Sequence, residues 1–264
     1  MRKTFLVALA VFFTKAGISQ DAFQYQTPPK DIADLVLAKP TPAVSINGKG
    51  EWMVLIDRST YSTVEELAQP EFRVAGIRWN PANFGSSRAS FFNGLQVRNI
   101  QSGATVPVTG LPENLRGMEL SWSPGQQSFA FLHYANNRVD LYVVNAITAS
   151  ARKINNQPVN DVMGTAFNWQ NDSTIIYKFA SNAQLQAPVQ PKAPSGPVVQ
   201  ESLGKAAASR TYQDLIKSPY DEAVFEYYAT SQLNRINLTA MGATEQMIGK
   251  PAIYRSFSIS PDKQ

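Results

Sequence analysis

Cysteine is absent from this 264-residue chain, and histidine occurs once, at His133. Without thiols there can be no disulfide, no thiolate nucleophile and no cysteine-ligated zinc, so stability must come from an apolar core. A Ser-His-Asp triad needs an imidazole to receive the nucleophile's proton. The one imidazole available closes the run Phe129–Tyr134, where it reads as an ordinary strand or turn histidine. A nucleophile elbow of the G-x-S-x-G type follows a buried strand and opens a helix. The nearest match, Gly85-Ser86-Ser87-Arg88-Ala89, follows Asn80-Pro81-Ala82-Asn83 and precedes Phe91-Phe92-Asn93-Gly94, which reads as a strand and turn. Gly249-Lys250 has Pro251 where a phosphate-binding loop needs a hydroxyl, and is expected to be a turn. The carboxylates are too scattered for a calcium loop. These residues therefore supply no catalytic, cofactor-binding or metal-binding assignment.

Charge of one sign is also scarce. The chain holds 24 basic and 20 acidic residues, but Arg2, Lys3 and Lys15 lie in a segment that stands apart. Arg2 and Lys3 precede an apolar stretch from Thr4 to Phe13, and Gly17 and Ser19 flank Ile18 as a small-x-small cleavage site. Residues 1–19 thus read as a signal peptide, leaving Gln20 as the first mature residue and a periplasmic or secreted location. The apolar stretch is well short of the roughly 20 residues that span a bilayer, and Lys15 interrupts any extension, so no membrane span is expected after cleavage. Removing the segment leaves 21 basic against 20 acidic residues. No basic stripe with interleaved aromatics follows, and nucleic acid is not an expected partner.

What the chain does have is repetition. In Leu120-Ser121-Trp122-Ser123-Pro124-Gly125-Gln126-Gln127-Ser128-Phe129-Ala130-Phe131-Leu132, two strand-forming runs flank a polar turn, and Arg138–Asn145 supplies a third strand. A second copy, Phe167 to Tyr177, places Trp169 47 positions after Trp122. That period suits one propeller blade, whose four strands take roughly 40 to 50 residues. A third copy runs from Val44 to Leu55. A fourth, Phe257-Ser258-Ile259-Ser260 before Pro261-Asp262, stops at its turn, so the sequence reads as truncated. Trp122 and Trp169 are expected to fill the space between stacked sheets.

The predicted fold is all-β, an incomplete propeller of four-stranded blades over residues 20–264, with short helical insertions. Helices are predicted at Asp31–Leu37, where Ile32, Leu35 and Val36 share a face, and at Thr63–Ala68, where Glu66 completes a capping box. A third starts with Ser218 as cap and Pro219 at the first helical position, and runs through Tyr228. Gln186–Gly204, with Pro188, Pro191, Pro194 and Pro197, reads as an extended Pro-rich insertion.

Several longer strings, taken together and in order, resemble one family. They are Tyr25-Gln26-Thr27-Pro28-Pro29 with Pro40-Thr41-Pro42, Glu66-Leu67-Ala68-Gln69-Pro70-Glu71, Val74-Ala75-Gly76-Ile77-Arg78 and Arg88-Ala89-Ser90-Phe91-Phe92-Asn93-Gly94-Leu95. Further on come Arg210-Thr211-Tyr212-Gln213-Asp214-Leu215-Ile216-Lys217, Phe225 to Leu233, and Gly249-Lys250-Pro251-Ala252-Ile253-Tyr254. This pattern resembles the N-terminal region of glutamyl-endopeptidase-like members of the prolyl oligopeptidase family. The resemblance implies an exported serine peptidase whose propeller gates peptide access to a C-terminal α/β-hydrolase domain. That domain is absent from these residues, so none of its Ser, Asp and His can be assigned here. Peptide substrates are then reached only through the missing domain. The rival reading of the same repeats is a non-catalytic periplasmic propeller that binds a protein or envelope partner.

Overall fold

The structure is a computed structural model that describes residues 26–191, 204, 212–239 and 242–260. Residues 1–19, expected to be a signal peptide, lie outside the described residues, as do most of the expected Pro-rich insertion and the expected last turn at 261–264. Contacts divide the chain into Met1–Ala38 and Lys39–Gln264. In the first unit, helix α1 (Lys30–Val36) forms where Ile32, Leu35 and Val36 led one to expect it, with Lys30 and Asp34 paired one turn apart.

In the second unit twelve strands fall into three antiparallel groups of four, or blades; the first two are joined into one eight-stranded sheet by the single pair Phe92–Gly117, and the third is a separate sheet. The first opens with β1 (Ala43–Ile46) and β2 (Trp52–Arg58). The chain then leaves on an excursion holding α2 (Val64–Leu67) and a small sheet of β3 (Phe72–Val74), β4 (Ile77–Asn80) and β5 (Gly85–Ser86). It returns as β6 (Phe92–Asn99) and β7 (Thr105–Pro107), with β6 pairing along β2 from Asn99 opposite Trp52. The second blade is β8 (Gly117–Trp122), β9 (Ser128–Tyr134), β10 (Val139–Asn145) and β11 (Ser150–Lys153). The third is β12 (Phe167–Asn171), β13 (Thr174–Phe179), β14 (Thr230–Thr239) and β15 (Gly242–Ile253). Helix α3 (Pro219–Ala229) precedes β14 in a second excursion. Both excursions leave between the second and third strands of a blade, where the middle blade has only the turn 135–138. The fold is thus all-β and propeller-like, with three described blades; the smallest closed propellers take four.

The middle blade explains the sequence best. Sandwiched between neighbours, β9 is buried on both faces, so it reads as an unbroken apolar run instead of alternating. Phe129 and Phe131 face the first blade, packing with Val54, Leu95, Val97 and Val144. Ala130, Leu132 and Tyr134 face the third, packing with Leu141, Ile175, Tyr177 and Ile236. A third cluster joins the excursions to each other: Phe72, Trp79 and Phe84 from the first meet Val224 and Tyr228 of α3. The Trp79 and Tyr228 rings lie 5.6 Å apart.

The helix caps follow the expected chemistry. The Thr63 side chain accepts from Glu66 N while Glu66 accepts from Thr63 N, a complete capping box. Ser218 accepts from Asp221 N at 3.2 Å and Pro219 opens α3.

Three expectations are corrected. Gly94 is not a turn residue but lies inside β6 opposite Asp57, whose side chain fills the space where a Cβ would stand. Gly249-Lys250 is not a free turn but lies within β15. Register slips there, Ser231 facing Ala252 and Leu233 facing Ile248, so the intervening residues loop out at Gly249 (φ 70°) and Pro251, which has no N–H to donate. Phe257–Ser260 forms no strand; the segment instead runs beside β12, with Arg255 O accepting from Thr165 N and Phe257 O accepting from the Asn168 side chain. The two tryptophans pack against the inter-blade cores as expected, but each remains half-buried and also uses its N–H.

Candidate functional site

The first excursion meets the middle blade in a group of polar residues drawn from distant parts of the chain. The inner strand β8 enters at Arg116 and slips register between Met118 and Ser121, with Glu119 in the left-handed region (φ 55°). Tyr134 comes from the end of β9, Asp161 from the connection into the third blade, Lys178 from β13 and Ser86 from β5. The Tyr134 hydroxyl donates to Asp161 Oδ2, and Ser86 Oγ lies 3.0 Å from the same oxygen and 3.1 Å from the Asp161 carbonyl. Lys178, 1% exposed, donates to the carbonyls of Met163 and Tyr254.

Burial sets the protonation of this cluster. It raises the Asp161 carboxyl above its ordinary value, against the pull of the Tyr134 and Ser86 hydrogen bonds and of Lys178. Burial and the Asp161 charge push the Tyr134 phenol well up. Glu119 keeps an exposed surface on one side, but the atoms crowding its other side and the nearby Asp161 push its carboxyl up to about 7. Lys178 is lowered by desolvation and partly restored by Asp161 and Glu119. Two carboxylates thus share one buried ammonium.

Beside this cluster lies a cavity of about 100 Å³, whose wall includes Ser86 and Tyr134. Its wall also takes in Glu66, Glu71, Ser87 and Arg88 from the excursion and Arg116, just before β8, among other polar residues. Glu71 accepts from Arg73 Nε at 2.5 Å and Ser87 Oγ at 2.7 Å, and forms an ion pair with Arg88, whose Nε lies 3.1 Å away. Burial pushes the Glu71 carboxyl up, but these donors and the two guanidinium charges outweigh it and hold it below its ordinary value. Arg88 adopts φ 54°, a strained conformation for a non-glycine residue. Arg116 donates to Tyr134 O at 2.7 Å and to the Asn136 side chain at 2.7 Å, with its guanidinium 5.9 Å from the centre of the Phe91 ring.

His133 plays the structural part expected of it. It is 7% exposed, its Nδ1 accepts the Arg116 N–H at 3.3 Å, and burial lowers its pKa. The Gly85–Ala89 segment is no elbow, since Gly85-Ser86 pairs as an edge strand with Trp79-Asn80 and β6 follows it. Among the described residues no group of three or more His, Asp or Glu side chains could hold a metal ion.

Sequence reasoning named none of Arg116, Glu119, Tyr134, Asp161 or Lys178 as site residues, because they meet from separate strands and connections up to 62 residues apart. One signal was available. Lys178 stands in Thr174-Ile175-Ile176-Tyr177-Lys178-Phe179, a fully buried strand in which a lysine requires partners.

No family model matches the chain. It is 30% identical over 259 residues, 93% of its length, to a protein of Oryza sativa subsp. japonica named "Probable glutamyl endopeptidase, chloroplastic". It is also 30% identical over 254 residues, 90% of its length, to an Arabidopsis thaliana protein of the same name. The chain is thus homologous along most of its length to a part of these two proteins. It spans 27% and 26% of the length of these two relatives. Among solved structures it is similar to an acylaminoacyl peptidase of Pyrococcus horikoshii, with 9% identity, 82% of this chain and 26% of that one covered, and a TM-score of 0.35.

Proposed function

We propose that this chain is the propeller portion of an exported serine-type peptidase, and that it controls which peptides reach a catalytic α/β-hydrolase domain carried elsewhere in the protein. The observation that supports this reading most is the 30% identity sustained over 93% of the chain with a glutamyl endopeptidase. Physical logic supports the division of labour. Blades stacked through continuous apolar cores are stiff, and a stiff channel passes extended peptides while turning folded proteins away. Export rests on the signal-peptide pattern of residues 1–19 and leads to the periplasm or the medium. No helix among the described residues is long and apolar enough to cross a membrane.

The test is made on the full-length protein from its native gene. Hydrolysis is measured for a short peptide and for the same cleavage sequence within a folded host domain. Gating requires that the wild type cut only the short peptide, and that loosening the blades with Trp122→Ala and Trp169→Ala admit the larger substrate. Equal cleavage of both by the wild type would refute gating. Absence of hydrolase sequence from the gene would refute the peptidase reading itself.

A further inference from the structure

We propose that β15, the outer strand of the third blade, pairs antiparallel with β15 of a second copy of this chain, centred on Gln246 of each. The three blades end differently. The first closes on β7, only Thr105–Pro107, and its Pro107 has no N–H to offer. The second closes on β11, which carries Arg152 and Lys153 and has Thr109 laid against it, Ala151 N donating to Thr109 O. Short strands, proline, basic residues and covering loops are how folded proteins protect a sheet edge. The third blade instead ends on a strand of twelve residues. Its second half is interrupted at Gly249 and Pro251, but residues 242–248 pair with β14 without a slip and include no proline, lysine or arginine.

The direction of each backbone group along this stretch follows from the register. Leu238 N donates to Ser173 O beside β13, so its neighbours Asn237 and Thr239 turn their N–H groups toward β15. Their partners Thr244 and Gly242 face back toward β14, and so does Gln246, opposite Arg235. Ala243, Glu245 and Met247 therefore present N–H and C=O outward, and no backbone group bonds to them there among the described residues. The edge is open, with Met247 69% exposed and Thr244 and Gln246 exposed on the other face of the strand.

The sequence of the edge favours its own copy as occupant. A twofold pairing centred on Gln246 sets that amide opposite itself, Glu245 opposite Met247 and Thr244 opposite Ile248. The outward groups of Glu245 and Met247 then exchange hydrogen bonds, while the two Gln246 residues form the closer, non-hydrogen-bonded kind of pair. No charge meets its like. Centring on Glu245 instead would set two carboxylates face to face, which is repulsive. Residues 20–264 carry 21 basic against 20 acidic side chains, so net charge does not hold two copies apart. A ladder this short is smaller than the standard interface of about 1,600 Å², and the dimer is expected to be a weak one.

The full chain is followed by sedimentation equilibrium from about 5 µM to about 1 mM, a span suited to weak association. The pairing requires a monomer–dimer equilibrium within it. Met247→Pro deletes one outward donor and no bond to β14, so it should raise the dissociation constant about tenfold or more and leave the thermal midpoint near that of wild type. Because the chain has no cysteine, Gln246→Cys gives a position-specific probe. In oxidised glutathione it should link two copies by a disulfide about tenfold or more faster than Thr244→Cys, whose counterpart across the axis is Ile248. A monomer throughout the span, a dimer that Met247→Pro leaves intact, or equal cross-linking at positions 244 and 246 overturns the proposal. If Met247→Pro fails to fold, the two cysteine variants decide. None of these measurements reads hydrolysis, so their outcome stands apart from the peptidase reading.

Discussion

The indole N–H of Trp122 donates to the Ser45 hydroxyl at 3.0 Å, binding the inner strand of the second blade to that of the first. Trp169, 47 residues later, donates at 3.2 Å to the carbonyl of Ser121, the residue just before Trp122. The adjoining turns repeat the theme, with Gly48 N donating to the Gln126 side chain and Gly125 N donating to Asp172. Replacing Trp122 by Phe keeps most of the apolar contact but deletes the donor. Urea unfolding should show a loss of about 1–2 kcal/mol. Ser45→Ala should cost less, about 0.5–1.5 kcal/mol, and little more when added to Trp122→Phe, because both remove the same bond.

Gly164 has φ 65°, and a Cβ built there would stand 1.8 Å from the carbonyl oxygen of Arg255. The obstruction is backbone, which cannot rotate away. Gly164→Ala should therefore cost about 3 kcal/mol or more, seen as a marked fall in the urea midpoint. Gly50→Ala, at φ 69° with nothing within 4 Å, should cost only about 1 kcal/mol of backbone strain.

Glu119 gives the stability a distinct pH dependence. Its carboxyl titrates at about 7 in the folded state against 4.5 ordinarily, so between those values the native state holds a proton that the unfolded chain has released. Its contribution to stability must then fall as pH rises from about 4.5 to about 7, and the cost is fully present above that. Glu119→Gln should flatten this part of the profile and raise the urea midpoint at pH 8. His133 acts oppositely, since its lowered pKa makes protonation unfavourable and removes stability as pH falls below the ordinary 6.5. Comparing Glu119→Gln with wild type at each pH cancels the histidine.

Tyr134→Phe removes the hydroxyl that donates to Asp161 within a buried cluster. The expected loss is about 1–3 kcal/mol, since the carboxylate is left short of a donor. The Asp161 carboxyl should titrate still higher in this variant, visible by carbon NMR of labelled aspartate.

Ser218→Ala strips the cap from α3 at a cost of about 1 kcal/mol. Hydrogen exchange should quicken at Asp221 and Glu222 while β9 and β10 stay protected.

The repeats were legible because they are made of local chemistry. Trp122 and Trp169 followed by polar turns mark the inner strands, and the capping residues Thr63 and Ser218 mark two helices, all within a few residues of sequence. The excursions were only half legible. Their helices could be read, but Ile77–Asn80 and its partners gain their strand character from pairing with each other and from Tyr228, far along the chain. The charge cluster was not legible at all. Asp161 owes its role to Tyr134 and Ser86, 27 and 75 residues away, and no local pattern encodes such a meeting. Phe257-Ser258-Ile259-Ser260 shows the opposite case, a sequence that matches the repeat but takes no strand conformation.

A stack whose units touch only their neighbours can melt from its ends, one unit at a time. The aromatic cluster of Phe72, Trp79 and Phe84 with Tyr228 closes that route, because it ties the outer two blades to each other past the middle one. Contacts therefore run in a circuit rather than a line, and no blade can peel away without surrendering a second interface. Thermal melting followed separately in the first and third blades should give one shared midpoint in the wild type and two in Tyr228→Ala.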